Sequence, residues 1–220
     1  WGSGVAGAND DNTRAAITVG YAFGDVVLFL WEQGNGTEPL ASIYGVPIED
    51  REEGEEVVYT AFGDAHFINN DRGLLIKTAL FEDRYGLGYI NLDDTSEVKP
   101  VTITGTAHTG VGEMERIERL HDDRFVLRYN IDGASWAYEG SYDAAAREMK
   151  LDYVICGQGE LANGVTEAIH YDAGSDRYIL EFSTAASPTQ IYTIEGKSRD
   201  KVVMHTRERI LGTPSEWLAP

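Results

Sequence analysis

Asp123-Arg124-Phe125-Val126-Leu127-Arg128-Tyr129 recurs as Asp176-Arg177-Tyr178-Ile179-Leu180-Glu181-Phe182, and Asp71-Arg72-Gly73-Leu74-Leu75-Ile76 holds the same place one unit earlier. The copies are spaced by roughly 50 residues, the period of a propeller blade. Each begins at a polar turn and continues as a β-rich apolar run, which is a strand signal.

Outward from this row, short β-rich runs alternate with Gly, Asp and Asn turns along the chain. Arg14 to Tyr21 and Val26 to Trp31 flank the turn Phe23-Gly24-Asp25, and Gly34-Asn35-Gly36 is a hairpin signal before Leu40 to Tyr44. Ala65 to Ile68, Leu74 to Leu80, Gly88 to Leu92 and Val98 to Ile103 form a second set. Met114 to Leu120, Phe125 to Asn130, Trp136 to Tyr142 and Met149 to Ile155 form a third. Val165 to Tyr171, Arg177 to Phe182, Gln190 to Glu195 and Lys201 to Arg207 form the last. One four-stranded sheet cannot bury both of its faces, so such units must stack. The expected fold is all-β: a β-propeller, or part of one, with about four four-stranded antiparallel blades. The blades are placed at approximately 13–47, 63–104, 113–157 and 165–207, within a propeller region 1–210.

Two segments admit a helical reading. Met114, Ile117 and Leu120 sit at helical spacing among Glu113, Glu115, Glu118, Arg116 and Arg119, which could form charge pairs on a helix. Asp143 to Arg147 contains three successive alanines. The repeat register favours a strand for the first and a long turn for the second.

Composition narrows the function classes. Eighteen basic against 37 acidic residues give a formal charge of −19. A field of that sign repels nucleic-acid backbones and anionic membrane surfaces. The longest clean apolar run, Val26 to Trp31, is a strand's length and far short of a membrane span. The one cysteine, Cys156, rules out an internal disulfide and a Cys-based zinc site. It lies in the apolar run Tyr153-Val154-Ile155-Cys156 and reads as a small core residue. A lone free cysteine fits a reducing, cytoplasmic compartment. The chain opens on Trp1 without an initiator Met, as an excised piece or a processed form would.

No complete catalytic apparatus is legible. There is no Gly-x-Ser-x-Gly elbow, P-loop, dinucleotide fingerprint or His-Glu-x-x-His. His66, His108, His121, His170 and His205 are scattered singly, without metal-ligand spacing. Asn9-Asp10-Asp11-Asn12 resembles part of a calcium loop but lacks its glycine and distal glutamate, so a polar turn is expected. The acidic stretch Ile48 to Glu56 reads as a solvated loop between blades, with a cation site as the sharper alternative. Trp31, Trp136, Tyr138, Tyr142 and Tyr192 fall on strands and are expected to pack between blades, with one or two free to face a channel. No residue is therefore expected to be catalytic or to hold a metal or cofactor, and no binding residue is legible.

The C-terminal end carries a resemblance. Phe182-Ser183-Thr184-Ala185-Ala186-Ser187-Pro188-Thr189-Gln190-Ile191-Tyr192 resembles the last propeller blade of the prolyl oligopeptidase family of serine peptidases (S9). The tail Arg207 to Pro220 looks like the crossing into the hydrolase domain of that family, and 208–220 is read as this linker. Trp1-Gly2-Ser3-Gly4, Tyr85-Gly86-Leu87-Gly88-Tyr89 and Cys156-Gly157-Gln158-Gly159-Glu160-Leu161 are similar to bacterial members. The resemblance implies a parent chain that hydrolyses short peptides with a Ser-Asp-His triad placed beyond Pro220. It implies for this part a non-catalytic role, gating and positioning peptide substrates, with an α/β-hydrolase domain as partner and oligomerisation left open. Two other readings stay open: a stand-alone TolB-like propeller that binds protein or ligand, and a five-bladed propeller glycosidase using paired carboxylates.

Overall fold

The computed structural model describes residues 2–34, 40–209, 211–212 and 217. Sixteen strands run in chain order: β1 Gly2–Ala8, β2 Arg14–Ala22, β3 Asp25–Glu32, β4 Leu40–Tyr44, β5 Ala65–Ile68, β6 Gly73–Thr78, β7 Gly86–Asn91, β8 Asp94–Thr104, β9 Gly112–His121, β10 Arg124–Ile131, β11 Ala134–Asp143, β12 Glu148–Cys156, β13 Gly164–Asp172, β14 Arg177–Thr184, β15 Ser187–Glu195 and β16 Lys201–Met204. Helical structure among the described residues is confined to single 3-10 turns at Ile48–Asp50 and Gly159–Leu161. The fold is all-β and made of four-stranded antiparallel blades of the propeller type.

The chain divides into two compact units. The first holds the described residues of 1–104, 116–119 and 142–150. Its strands order as β1-β2-β3-β4 and as β5-β6-β7-β8. The first residues of β12 lie parallel to β8, pairing Glu148 with Thr102 and Lys150 with Thr104. The second unit holds the described residues of 105–115, 120–141 and 151–220. Here β11 lies between β10 and β12, and β13-β14-β15-β16 form the last blade.

The repeated row is the second strand of successive blades: β6, β10 and β14. Each begins with an arginine or sits directly after one, and each arginine meets a carboxylate. Arg72 pairs with Asp93, Arg124 with Glu139, and Arg177 with Glu195. The first blade repeats the device with Arg14 and Glu32, which face each other in the β2/β3 register at 2.8 Å. Of these, the exposed pair Arg72–Asp93 contributes about 0.2–1 kcal/mol, whereas Glu139 is buried. The regular placement of the pairs shows that the sequence repeat is a structural one.

Burial explains the apolar runs. In β14, Tyr178, Leu180 and Phe182 are buried while Arg177 and Ile179 face solvent, the two-residue period of a half-covered strand. In β6 and β10 the runs Leu74-Leu75-Ile76 and Phe125-Val126-Leu127 are buried throughout, so both faces of these inner strands are covered. Each such side chain contributes about 1.5–3 kcal/mol on burial. The core of the first unit gathers Leu28, Leu30, Phe67, Leu74, Ile76 and Ile90. That of the second gathers Val126, Cys156, Tyr178, Leu180, Phe182 and Ile194.

Three sequence expectations acquire physical detail. The first blade begins at Gly2, ahead of the 13–47 range, because Gly2-Ser3-Gly4-Val5 pairs with Gly20-Val19-Thr18-Ile17. The glycines and alanines of β1 gave no apolar alternation to read. Gly7 has a packing reason, since a Cβ there would lie 1.8 Å from the Ala65 carbonyl oxygen of β5. Met114 to Leu120 is part of a strand although Met114 and Ile117 are both buried. Met114 belongs to the second unit, whereas Ile117 is held in the first, where its N–H donates to Asp64 Oδ2 and its carbonyl meets His66 Nε2. Asp143 to Arg147 is a turn in which Asp143 Oδ1 accepts from the N–H groups of Ala145 and Ala146. Gly34 lies in a turn, whereas Asn35 and Gly36 of the expected hairpin fall outside the described residues, as does most of 208–220.

Pro188 sits in the second position of β15. Thr184 pairs with Ser187 and Phe182 with Gln190, so β15 carries one extra residue across this step. A proline, which has no N–H to donate, is tolerated where the ladder is already interrupted.

Candidate functional site

A cavity of about 440 Å³ opens in the first unit, walled by β3, β4, the 45–60 connection and the start of β8. That volume suits a small ligand or a few side chains. Its floor is apolar, from Val26, Val27, Ile43 and Tyr44, and its rim carries Val46, Val57, Val58, Glu55 and Glu56. Ser42, Thr95 and Ser96 add hydroxyl groups.

The connection that forms one wall has little regular structure, yet it is firmly tied. Arg51 makes a two-pronged ion pair with Asp25, Nη1 to Oδ2 at 2.7 Å and Nη2 to Oδ1 at 2.8 Å. Its Nε donates to the Val46 carbonyl at 2.8 Å, and its guanidinium lies over the Tyr21 ring, 5.1 Å from the centroid. Bidentate geometry and a ring face are what a planar guanidinium uses best. At the far end Thr60 Oγ1 donates to the Val26 carbonyl at 2.5 Å, and Thr60 N donates to the Gly24 carbonyl at 2.9 Å. The acidic stretch read as a solvated loop is exposed at every position except Arg51, and its Arg51, Glu55 and Glu56 line the cavity. Among the described residues it gathers no cluster of metal-ligating side chains.

The histidines are not brought together. Half-buried His66 is fixed on the Ile117 carbonyl at 3.0 Å, and burial lowers its pKa. His121, His170 and His205 are exposed; His121 lies beside Asp122, and His205 Nε2 is 2.8 Å from Thr193 Oγ1. His108 is the most elaborately housed. Its Nδ1 lies 2.7 Å from the Tyr138 hydroxyl, which also accepts from the His108 N–H at 3.0 Å. Rings of Tyr129, Trp136 and Tyr138 surround it at 5.0, 5.6 and 5.7 Å. Burial lowers the His108 pKa and raises that of Tyr138. These hydrogen bonds anchor the 105–111 loop to β11.

Asn9 is buried in the β1/β2 turn, where its Oδ1 accepts from Arg14 N and its Nδ2 donates to Asp71 Oδ2 at 2.7 Å. This joins two turns of the first unit. Trp31 pairs with Ala15 and Leu40 on its neighbouring strands. Tyr142 is buried, and burial pushes its hydroxyl up to about 12. Tyr192 packs edge-on to Phe182 at 6.2 Å. Cys156 is buried, and burial pushes its thiol up to about 12, which removes it from thiolate chemistry.

Sequence reasoning missed Arg199, Glu139 and the cavity. Glu139 accepts from Arg199 Nε at 2.7 Å, from Tyr178 Oη at 2.9 Å and from Arg124 Nη2. Arg199 also donates to Asp176 Oδ1 at 2.6 Å, and Arg124 to Asp152 Oδ2 at 2.6 Å. Every charge in this network has an opposite partner, which marks it as a structural lock. Its one sequence trace was the repeated Asp-Arg step at 123–124 and 176–177.

No protein-family model matches the chain, and no curated protein matches it. Solved structures do. Prolyl oligopeptidase B from Galerina marginata, bound to a 35mer substrate, superposes with a TM-score of 0.61 at 15% identity, covering 98% of this chain and 28% of that one. A prolyl endopeptidase structure gives a TM-score of 0.61 at 11% identity, covering 90% of this chain and 25% of that one. Oligopeptidase B from Trypanosoma brucei gives 0.58 at 13% identity, with coverages of 97% and 28%. This chain has the fold of a portion of the prolyl oligopeptidases. It spans about a quarter of the length of those structures. No helix among the described residues is long and apolar enough to cross a membrane.

Proposed function

We propose that this chain is the non-catalytic propeller part of a serine peptidase of the prolyl oligopeptidase kind. It restricts access to the active site and helps hold the amino-terminal side of short peptides. Its partner is an α/β-hydrolase domain that carries the triad, with 208–220 leading toward it. The four blades correspond to the sheets that end at β4, β8, β12 and β16. The parent protein works in the cytoplasm and takes peptide as its substrate; its oligomeric state is a matter for measurement.

The observation that supports this reading is the likeness in fold over 90% to 98% of the chain to several peptidases of which it covers 25% to 28%. The site chemistry agrees with it. The described histidines are dispersed, Cys156 is buried, and the buried carboxylate Glu139 is neutralised by Arg124 and Arg199. A propeller that positions substrate needs no nucleophile of its own.

The test is labelling with a fluorophosphonate, which reacts with activated serines. The complete gene product is expected to label and residues 1–220 to remain unlabelled. Labelling of residues 1–220, or a complete gene product lacking a Gly-x-Ser-x-Gly nucleophile, would overturn the assignment.

A further inference from the structure

The cavity wall presents an unusual surface. Val57, Val58 and Tyr59 are consecutive and all exposed, and Ile48 and Val46 are exposed on the same connection. Phe23, at the β2/β3 turn, is 89% exposed, and its ring lies 6.1 Å from that of Tyr59. Isolated surface apolar residues need no explanation, but here Val46, Val57 and Val58 line the cavity itself, and Ile48, Tyr59 and Phe23 are exposed on the same connection or in ring contact with it.

The charge at the same place has one sign. The cavity is lined by Asp25, Arg51, Glu55 and Glu56. Arg51 is neutralised by Asp25, so the uncompensated charge is that of the two glutamates. Glu55 accepts one hydrogen bond, from Glu52 N at 3.1 Å, and Glu56 makes no ion pair among the described residues. Glu49, Asp50, Glu52 and Glu53 extend the negative field along the connection.

An apolar floor beneath two carboxylates is complementary to a side chain with an aliphatic stem and a cationic head. The exposed valines and aromatic rings around it are complementary to apolar neighbours of that side chain. We infer that this cavity docks a polypeptide segment in which a lysine or arginine is flanked by apolar residues. The stem lies on Val26, Ile43 and Val57, the head meets Glu55 and Glu56, and the flanking residues cover Val58 and the Phe23–Tyr59 pair. The site lies within the first unit, so it stands whether or not a hydrolase domain is joined to this chain.

The probe is a fluorescein-labelled peptide Gly-Leu-Lys-Phe-Gly, with Gly-Leu-Glu-Phe-Gly and Gly-Gly-Lys-Gly-Gly as its counterparts, titrated against residues 1–220 by anisotropy. The leucine–lysine–phenylalanine peptide is expected to bind about tenfold more tightly than either counterpart, and less tightly as salt is raised. Glu55→Gln with Glu56→Gln should weaken it about fivefold, the scale of exposed ion pairs, while an amide oxygen still accepts from Glu52 N. Glu52→Gln with Glu53→Gln removes the same charge outside the cavity lining and should change the affinity by less than about twofold. Equal binding of the three peptides, or equal losses from the two double variants, would show attraction by net charge alone and overturn the proposal. So would the absence of binding at about millimolar protein.

Discussion

Arg199 Nε donates to Oε2 of Glu139 over 2.7 Å, and the two side chains are 6% and 5% exposed. Burial by itself would raise the Glu139 pKa, but hydrogen bonds from Arg199, Arg124 and Tyr178 outweigh it and hold the carboxyl below its usual range. Sixty positions separate the two residues in the chain, and the pair joins β11 to the loop between β15 and β16.

Removing one member should be costly. Arg199→Met leaves Glu139 with Arg124 and Tyr178, whereas Glu139→Leu leaves the buried Arg199 guanidinium with Asp176 as its carboxylate partner. We expect Glu139→Leu to destabilise by about 3–5 kcal/mol and the double replacement to recover part of that loss. Urea unfolding of the two single variants and the double variant measures the coupling. Additive losses would contradict it.

The same pair sets an acid limit. A carboxyl with a depressed folded pKa contributes stability that is complete above its ordinary value of 4.5 and is lost as pH falls through the lower folded value. Asp176, lowered by its hydrogen bonds from Arg199 and Tyr171, acts in the same direction from 3.8 downward. Unfolding free energy should therefore fall below about pH 4.5. Compared with the wild type, Glu139→Gln should show a shallower fall.

His66 gives a second window. Burial lowers its folded pKa below the ordinary 6.5, so the unfolded chain binds the proton more readily. The stabilising contribution is complete above 6.5 and is lost as pH falls from there through the folded value. His66→Gln, whose amide can still donate to the Ile117 carbonyl, should flatten this part of the stability profile. An NMR titration placing His66 above 6.5 would exclude the effect.

Cys156 should be silent toward thiol reagents while the protein is folded. It is 1% exposed, and its Sγ lies 3.5 Å from the Leu161 carbonyl. Labelling by a chromogenic disulfide should be slower than in urea by about a hundredfold or more, since it requires opening of the second unit's core. Rapid native labelling would show that this core is open.

Gly7→Ala should destabilise the first unit by about 1–3 kcal/mol, because the new Cβ meets a backbone oxygen that cannot rotate away. Gly2→Ala on the same strand, with nothing near its position, is the matched control. Equal melting temperatures for the two variants would refute the close approach.

The repeated row at 71–76, 123–129 and 176–182 was enough to determine the all-β class, the four-stranded unit and the place of the second strand in three blades. A two-residue burial period and polar turns are local properties, so they are written in consecutive residues. What lay beyond local pattern was decided in three dimensions. β1 has almost no apolar signal and is a strand because β2 offers it a ladder. Met114 and Ile117 mimic a helical period, yet both are buried positions of strand β9. Glu139 and Arg199 become a lock, and 46–58 becomes the wall of a cavity, only when distant strands converge. Burial, ion pairing and concavity depend on which residues meet across the fold, and no short stretch of this chain carries that information.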